Sequence, residues 1–161
     1  MKELEQAAQA IQALVTEWES RLTAIDGDIL KGRRNRQNRT IKQILGHLID
    51  SASNNLHRTV HLQYQPSPLQ FPDYANLGAN DIWIRLQNYQ EEDWSLLVNL
   101  WKYGNLHLVH VIANISKDTL GNIWISALGE NISLKDMIVD YPRHLRLHLG
   151  EIEQLLGKAS S

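Results

Sequence analysis

Apolar residues recur at steps of three and four along four long stretches of the chain, which is the spacing of an amphipathic helix. The predicted helices cover residues 2–25, 40–63, 93–115 and 133–156. Two of them begin with a capping signal, since Thr40 is followed by Gln43 and Ser133 by Asp136. Four such helices predict an all-α fold, a four-helix bundle that fills a single domain over residues 1–161.

The segments between the predicted helices differ in character. Residues 64–79 form a long crossover loop between helices two and three, with Phe71 and Tyr74 as expected anchors. Loops of this length inside a compact domain are often functional covers. A short helical piece over 80–89 and a short extended piece over 123–125 are also expected. This loop is rich in helix-breaking residues: Pro66, Pro68, Pro72 and Gly78.

The core-facing stripe of the fourth helix contains two imidazoles where the pattern calls for apolar side chains. The stripe consists of Leu134, Met137, Tyr141, His144, His148, Ile152 and Leu155. His144 and His148 are one turn apart, so both rings could reach one metal ion. Two core histidines that bond to Asp, Tyr or water are the alternative. Pro142 predicts a kink just before His144.

A defined metal site needs a third ligand, and His47 on the second helix is the best candidate. It belongs to a polar stripe beside the apolar face of that helix, which is either plain surface or the wall of a cavity. The members of this stripe are His47, Ser51, Asn54, Arg58 and His61. His57 and His61 form a competing pair. However, His61 lies about 21 Å from His47 along the helix axis, so these two cannot share one ion.

Four further residues could support such a site. His107 and His110 on the third helix are expected to be bundle-lining residues, with contacts to the site or to substrate as the alternative. Asp50 and Asp140 each lie one turn from a proposed ligand, and metal-bound imidazoles usually donate their other N–H to a carboxylate or carbonyl. Simple solvation of both carboxylates is the alternative. No side chain stands out as a general acid or base, so the catalytic residues stay unassigned.

Composition narrows the functional classes. The 161 residues include no cysteine and carry a formal net charge of −2. We therefore expect no disulfide, no thiolate metal site, and neither nucleic-acid nor membrane binding. The basic run over residues 31–39 is expected to be a solvated loop. With no apolar stretch near the roughly 20 residues of a membrane span, a cytoplasmic protein is expected.

Three segments together resemble the DinB/YfiT-like superfamily: Thr40–Asn55, Trp101–Leu120 and Asp140–Ile152. The resemblance implies a four-helix bundle with a long link between helices two and three. It also implies a histidine triad of His47, His144 and His148 that holds a divalent ion, zinc or nickel ahead of iron or copper. Characterised activities in the superfamily are thiol-cofactor-dependent transferases and isomerases. Here Arg39 and Leu147 replace a frequent Trp and a frequent His.

The first functional hypothesis is a metal-dependent enzyme that acts on a small molecule, by hydrolysis or by transfer to a low-molecular-weight thiol. Three neutral imidazoles leave at least one coordination position open, whereas structural zinc sites are closed by four protein ligands. The alternative is a metal-binding stress-response or interaction module without turnover, which a homodimer would suit. A metal-free bundle with a polar core is the third hypothesis.

Overall fold

Helices make up most of the protein in the computed structural model, which describes residues 1–157. They are α1 (Lys2–Thr23), α2 (Ile29–Gly32), α3 (Ile41–Tyr64), α4 (Ala79–Leu86), α5 (Trp94–Ala113) and α6 (Leu134–Gly157), with 3-10 turns at Tyr89–Glu91 and Lys117–Thr119. The four long helices match the four predicted from periodicity, so the all-α prediction is confirmed. The single domain predicted over 1–161 extends past the described residues and stays a prediction.

The four long helices pack as a bundle in which α1 and α3 each contact both α5 and α6. Helix α3 is therefore a direct neighbour of α6, and this pair carries all three proposed ligands. Trp101 on α5 is completely buried, and it belongs to a hydrophobic core to which all four long helices contribute aliphatic residues. In the described part of the chain, no helix is long and apolar enough to cross a membrane.

Local sequence signals explain where α3 and α6 begin. The Thr40 hydroxyl accepts a hydrogen bond from the Gln43 backbone, and the Gln43 side chain accepts one from the Thr40 backbone, which completes the predicted capping box. Ser133 accepts from the Asp136 backbone at 3.0 Å. Pro142 is buried, and α6 continues through it to Gly157. The stripe thus keeps its phase across the proline.

A small sheet holds the long crossover loop against the bundle. Its strands are β1 (Leu69–Gln70), β2 (Ile123–Ile125) and β3 (Asn131–Ser133), in the order β1-β2-β3. Strand β2 confirms the extended piece predicted over 123–125, whereas β1 lies inside the segment predicted to be loop alone. Because β1 pairs with β2 and β3 runs directly into α6, the sheet ties the loop to the start of α6. Its central residue, Trp124, is buried.

Candidate metal centre

Three imidazoles from α3 and α6 converge on one point. The Nε2 atom of His47 lies 3.3 Å from Nε2 of His144 and 3.2 Å from Nε2 of His148. Each ring contributes one nitrogen to a group whose members all lie within 4.8 Å of one another. His47 and His148 are buried, and His144 is half-buried. The structure thus brings together the three histidines that the sequence singled out.

Tyr74 from the crossover loop orients the ring of His47. Its hydroxyl oxygen contacts His47 Nδ1 and also lies 3.1 Å from the carbonyl oxygen of His47. A tyrosine hydroxyl has one proton, and only a donor can bond to the carbonyl. The hydroxyl therefore donates to the carbonyl and accepts from Nδ1–H. This arrangement fixes the tautomer whose Nε2 lone pair faces the other two histidines.

Glu151 does the same for His148. The Nδ1 atom of His148 lies 2.9 Å from Oε2 of Glu151, which also accepts from Asn35 at 2.9 Å. Burial by itself would raise the pKa of Glu151, but the bonds from His148 and Asn35 and the charge of Arg39 outweigh it and lower that pKa. Glu151 is therefore a carboxylate at neutral pH, and it holds the proton of His148 on Nδ1.

The geometry of the three nitrogens fits a shared cation. Metal–nitrogen bonds of about 2.0–2.1 Å place two ligand nitrogens about 3.0 Å apart on an octahedral ion and about 3.4 Å apart on a tetrahedral one. The observed separations of His47 from the other two nitrogens, 3.3 and 3.2 Å, lie between these values. Burial lowers the pKa of His47 to about 2 and that of His144 to about 4. Protons therefore do not compete for these lone pairs at neutral pH.

A cavity of about 490 Å³ opens beside the three histidines. Three members of the polar stripe on α3 line this cavity, His47, Ser51 and Arg58, and the crossover loop and sheet contribute Tyr74 and Trp124. Ser51 and Arg58 are buried there, which decides between the two interpretations of the stripe in favour of a cavity wall. The open side of the histidine cluster therefore faces a space large enough for a small molecule.

The two aspartates considered as partners of the ligands have other roles. Asp50 is buried and accepts hydrogen bonds from Tyr89 and from Gln87, and burial raises its pKa to about 6. Asp140 forms a salt bridge with the exposed side chain of Arg143. The partners that the site does use escaped the sequence analysis. Glu151 carried a usable signal, since it lies one turn from His148, whereas Tyr74 comes from a loop without periodicity.

The other four histidines lie outside the cluster. His61 is half-buried at the far end of α3, and its Nδ1 contacts Tyr64 and Gln65 at 2.8 and 2.7 Å. The remaining three, His57, His107 and His110, are exposed. Within residues 1–157, no second group of three metal-ligating side chains comes as close together as His47, His144 and His148.

Solved structures provide the comparison that decides the fold. No protein-family model matches the sequence, and neither does any curated protein. YfiT from Bacillus subtilis, described as a probable metal-dependent hydrolase with an unusual four-helix bundle topology, superposes with a TM-score of 0.81 at 15% identity over 97% of this chain and 87% of its own. This chain has the fold of YfiT. The fold predicted from the resemblance is thereby confirmed.

A second solved structure shares the YfiT-like fold over part of its length. The mycothiol-dependent maleylpyruvate isomerase superposes with a TM-score of 0.75 at 14% identity. A mutant of that enzyme with one histidine replaced by alanine gives 0.73 at 13% identity. In both cases 92% of this chain is covered, but only 60% of the isomerase chain. The isomerase therefore contains a substantial further portion that this chain does not match.

Proposed function

We propose that the protein is a divalent-metal-dependent enzyme that acts on a small molecule, either by hydrolysis or by transfer to a low-molecular-weight thiol. The observation that carries the proposal is the convergence of three imidazoles at the edge of a cavity of about 490 Å³. Two proteins with this fold support the two alternatives: one is named a probable metal-dependent hydrolase, which agrees with hydrolysis, and the other a mycothiol-dependent isomerase, which agrees with the use of a thiol.

His47, His144 and His148 would hold the ion, with zinc and nickel ahead of iron and copper, because imidazole suits all four metals. The bound ion would supply a Lewis acid that lowers the pKa of water or of a thiol. Three protein ligands would leave at least one coordination position open, and all three histidines line the cavity. An open position on the cavity side favours an enzyme over a structural metal site.

The side chains around the histidines prepare the site before any ligand arrives. Tyr74 and Glu151 hold the protons of His47 and His148 on Nδ1, so that both Nε2 lone pairs stay available. The crossover loop that carries Tyr74 is tied to the bundle through the pairing of β1 with β2. The loop therefore forms one side of the cavity beside the three histidines.

Metal analysis and a substrate panel test the proposal together. We expect protein purified without chelator to hold about one divalent ion per chain, as measured by inductively coupled plasma mass spectrometry. His47→Ala should lose the ion, whereas the exposed His107→Ala serves as the matched control and should retain it. Turnover is sought on ester and amide substrates, and on electrophiles supplied with mycothiol, bacillithiol, glutathione or cysteine.

Three outcomes separate the hypotheses. Turnover that is lost with the metal and restored by adding it back supports the enzyme. Tight metal binding with no turnover on the whole panel would favour the alternative, a metal-binding module without catalysis. Protein that holds no metal, and whose melting temperature does not respond to added zinc or nickel, would contradict both.

A further inference from the structure

Arg58 is a buried cation that forms a salt bridge with no carboxylate of residues 1–157. Its side chain is 6% exposed and lines the same cavity as the three histidines. Burial lowers its pKa only to about 10, so the guanidinium is charged at neutral pH. Charged side chains are almost never buried to this extent without a partner, because desolvation is costly. The question is which group balances this charge.

The protein supplies only part of the hydrogen bonding that a guanidinium needs. The Nε of Arg58 donates to the carbonyl of Asn54 at 3.3 Å, and the guanidinium carbon lies 4.3 Å from the centre of the Trp124 ring. Within residues 1–157, no carboxylate oxygen lies within 4.0 Å of its nitrogens, and its two terminal nitrogens donate to no protein acceptor.

The nearby charges do not provide the missing partner. Asp73 attracts Arg58 from a distance, but its carboxylate already accepts hydrogen bonds from Asn76 and from the backbones of Ala75 and Ala127. Arg39, the other buried arginine of the cavity wall, differs because Asp81 accepts from it at 3.2 and 2.8 Å. Arg58 is therefore the arginine of this wall whose donors remain free for a ligand.

The position of Arg58 relative to the histidines suits the two ends of one small molecule. Arg58 and His47 are eleven residues apart on α3, which turns the helix through about three full turns and places both on one face. The Arg58 side chain folds back towards His47, since it bonds to Asn54. Asn54 is seven residues from His47, or about 10 Å along the axis. A ligand of a few bonds can span this distance.

We propose that the cavity binds a small organic monoanion. The carboxylate of this ligand pairs with Arg58, whose guanidinium stacks on Trp124, while the reacting end of the ligand approaches His47, His144 and His148. The substrate class rests on the proposed function. A carboxylate matches the planar fork of the guanidinium, with two parallel charge-assisted hydrogen bonds. A single negative charge is favoured over two, because Arg58 is the one arginine of this wall that has no carboxylate partner among residues 1–157, and Asp136 and Asp140 also line the cavity.

A pair of thiols that differ only at one end tests this inference on the cobalt-loaded protein. The probes are 6-mercaptohexanoate and 6-mercaptohexanol, whose thiolates would bind the ion and give a charge-transfer band that reports affinity. We expect the carboxylate to bind at least about tenfold more tightly than the alcohol. Arg58→Met should reduce this preference to within about twofold. Arg146→Met, which removes an exposed arginine of α6 that does not line the cavity, is the control and should retain it.

The outcomes distinguish a failed anion site from a failed metal site. A charge-transfer band with equal affinity for both thiols, or a preference unchanged in Arg58→Met, would overturn the anion site and leave the metal proposal standing. Ligand-observed NMR with hexanoate on the chelator-treated protein provides a metal-independent arm. If hexanoate binding depends on Arg58 but the cobalt-loaded protein shows no thiolate band, the anion site is supported and the metal-dependent function is contradicted. Binding of neither probe would overturn the anion site as well.

Arg58→Lys covers the case in which Arg58→Met does not fold. It keeps the charge but removes the fork and weakens the stacking on Trp124, so the carboxylate preference should fall several-fold. A preference equal to that of the wild type in Arg58→Lys would overturn bidentate pairing with this residue.

Discussion

Replacing Tyr74 by phenylalanine tests whether the crossover loop sets the tautomer of His47. The substitution removes one oxygen and keeps the ring, which stacks near His47 with 5.6 Å between centroids and meets Trp83 edge-on at 5.3 Å. Packing of the loop should therefore survive. What disappears is the acceptor for His47 Nδ1–H and the donor to the His47 carbonyl.

The size of the effect follows from the two bonds that are lost. Removing a partner that orients a metal-bound imidazole typically weakens metal binding 10- to 100-fold, which corresponds to about 1.4–2.7 kcal/mol. The buried Nδ1–H left without an acceptor also destabilises the protein, by about 1–3 kcal/mol. We therefore expect a zinc dissociation constant raised at least about tenfold. The increase in melting temperature on adding zinc should be smaller than in the wild type.

A chromophoric chelator that competes for zinc measures the dissociation constant directly. Tyr89→Phe is the matched control, because it removes another buried tyrosine hydroxyl that donates to Asp50 rather than bonding to a histidine. It should lower stability and leave the zinc dissociation constant within about twofold of the wild type. Equal zinc affinities for Tyr74→Phe and Tyr89→Phe would refute the role assigned to Tyr74.

Two further predictions concern the packing and charge behind the site. Gly46→Ala should destabilise the protein by about 1–3 kcal/mol, since its Cβ would lie 2.2 Å from the ring of Tyr89. Gly104→Ala, whose Cβ would lie 3.9 Å from Ala52, should stabilise the protein by up to about 1 kcal/mol. Urea denaturation measures the free energy of unfolding of both variants, and a change of the same sign in the two would contradict these predictions. The folded pKa of Asp50, about 6, exceeds the ordinary aspartate value of 3.8, so the folded state binds the proton more tightly and this carboxyl destabilises the protein as pH rises from 4 to 6. The stability of Asp50→Asn relative to the wild type, measured without metal, should therefore rise by about 2 kcal/mol across that range, and a pH-independent difference would contradict it.

Periodicity was sufficient to predict the four long helices and to place two histidines on the core side of the last one. The stripe on α6 kept its phase through Pro142, so the positions of His144 and His148 on the core side could be deduced from spacing alone. The choice of His47 as third ligand came from the polar stripe on α3, together with the resemblance to known bundles. The structure places the three rings together.

The partners of the imidazoles could not be deduced in the same way, because they depend on tertiary contacts. Asp50 and Glu151 are both one turn from a histidine, and nothing local shows that Asp50 turns towards Tyr89 while Glu151 turns towards His148. Tyr74 lies 27 residues from His47 in the chain. The pairing of β1 with β2 helps to hold the loop over the site, and such short segments have no periodicity from which this pairing could be predicted.

X-ray absorption spectroscopy of the zinc-loaded protein is the most direct test of the shared cation. We predict a first shell of three imidazole nitrogens at about 2.0–2.1 Å, completed by at least one light-atom ligand that an added thiol replaces with sulfur at about 2.3 Å. His148→Ala should lose one imidazole from this shell. A shell with one imidazole or none, or one that the His148→Ala substitution leaves unchanged, would contradict the convergence of these histidines on a single ion.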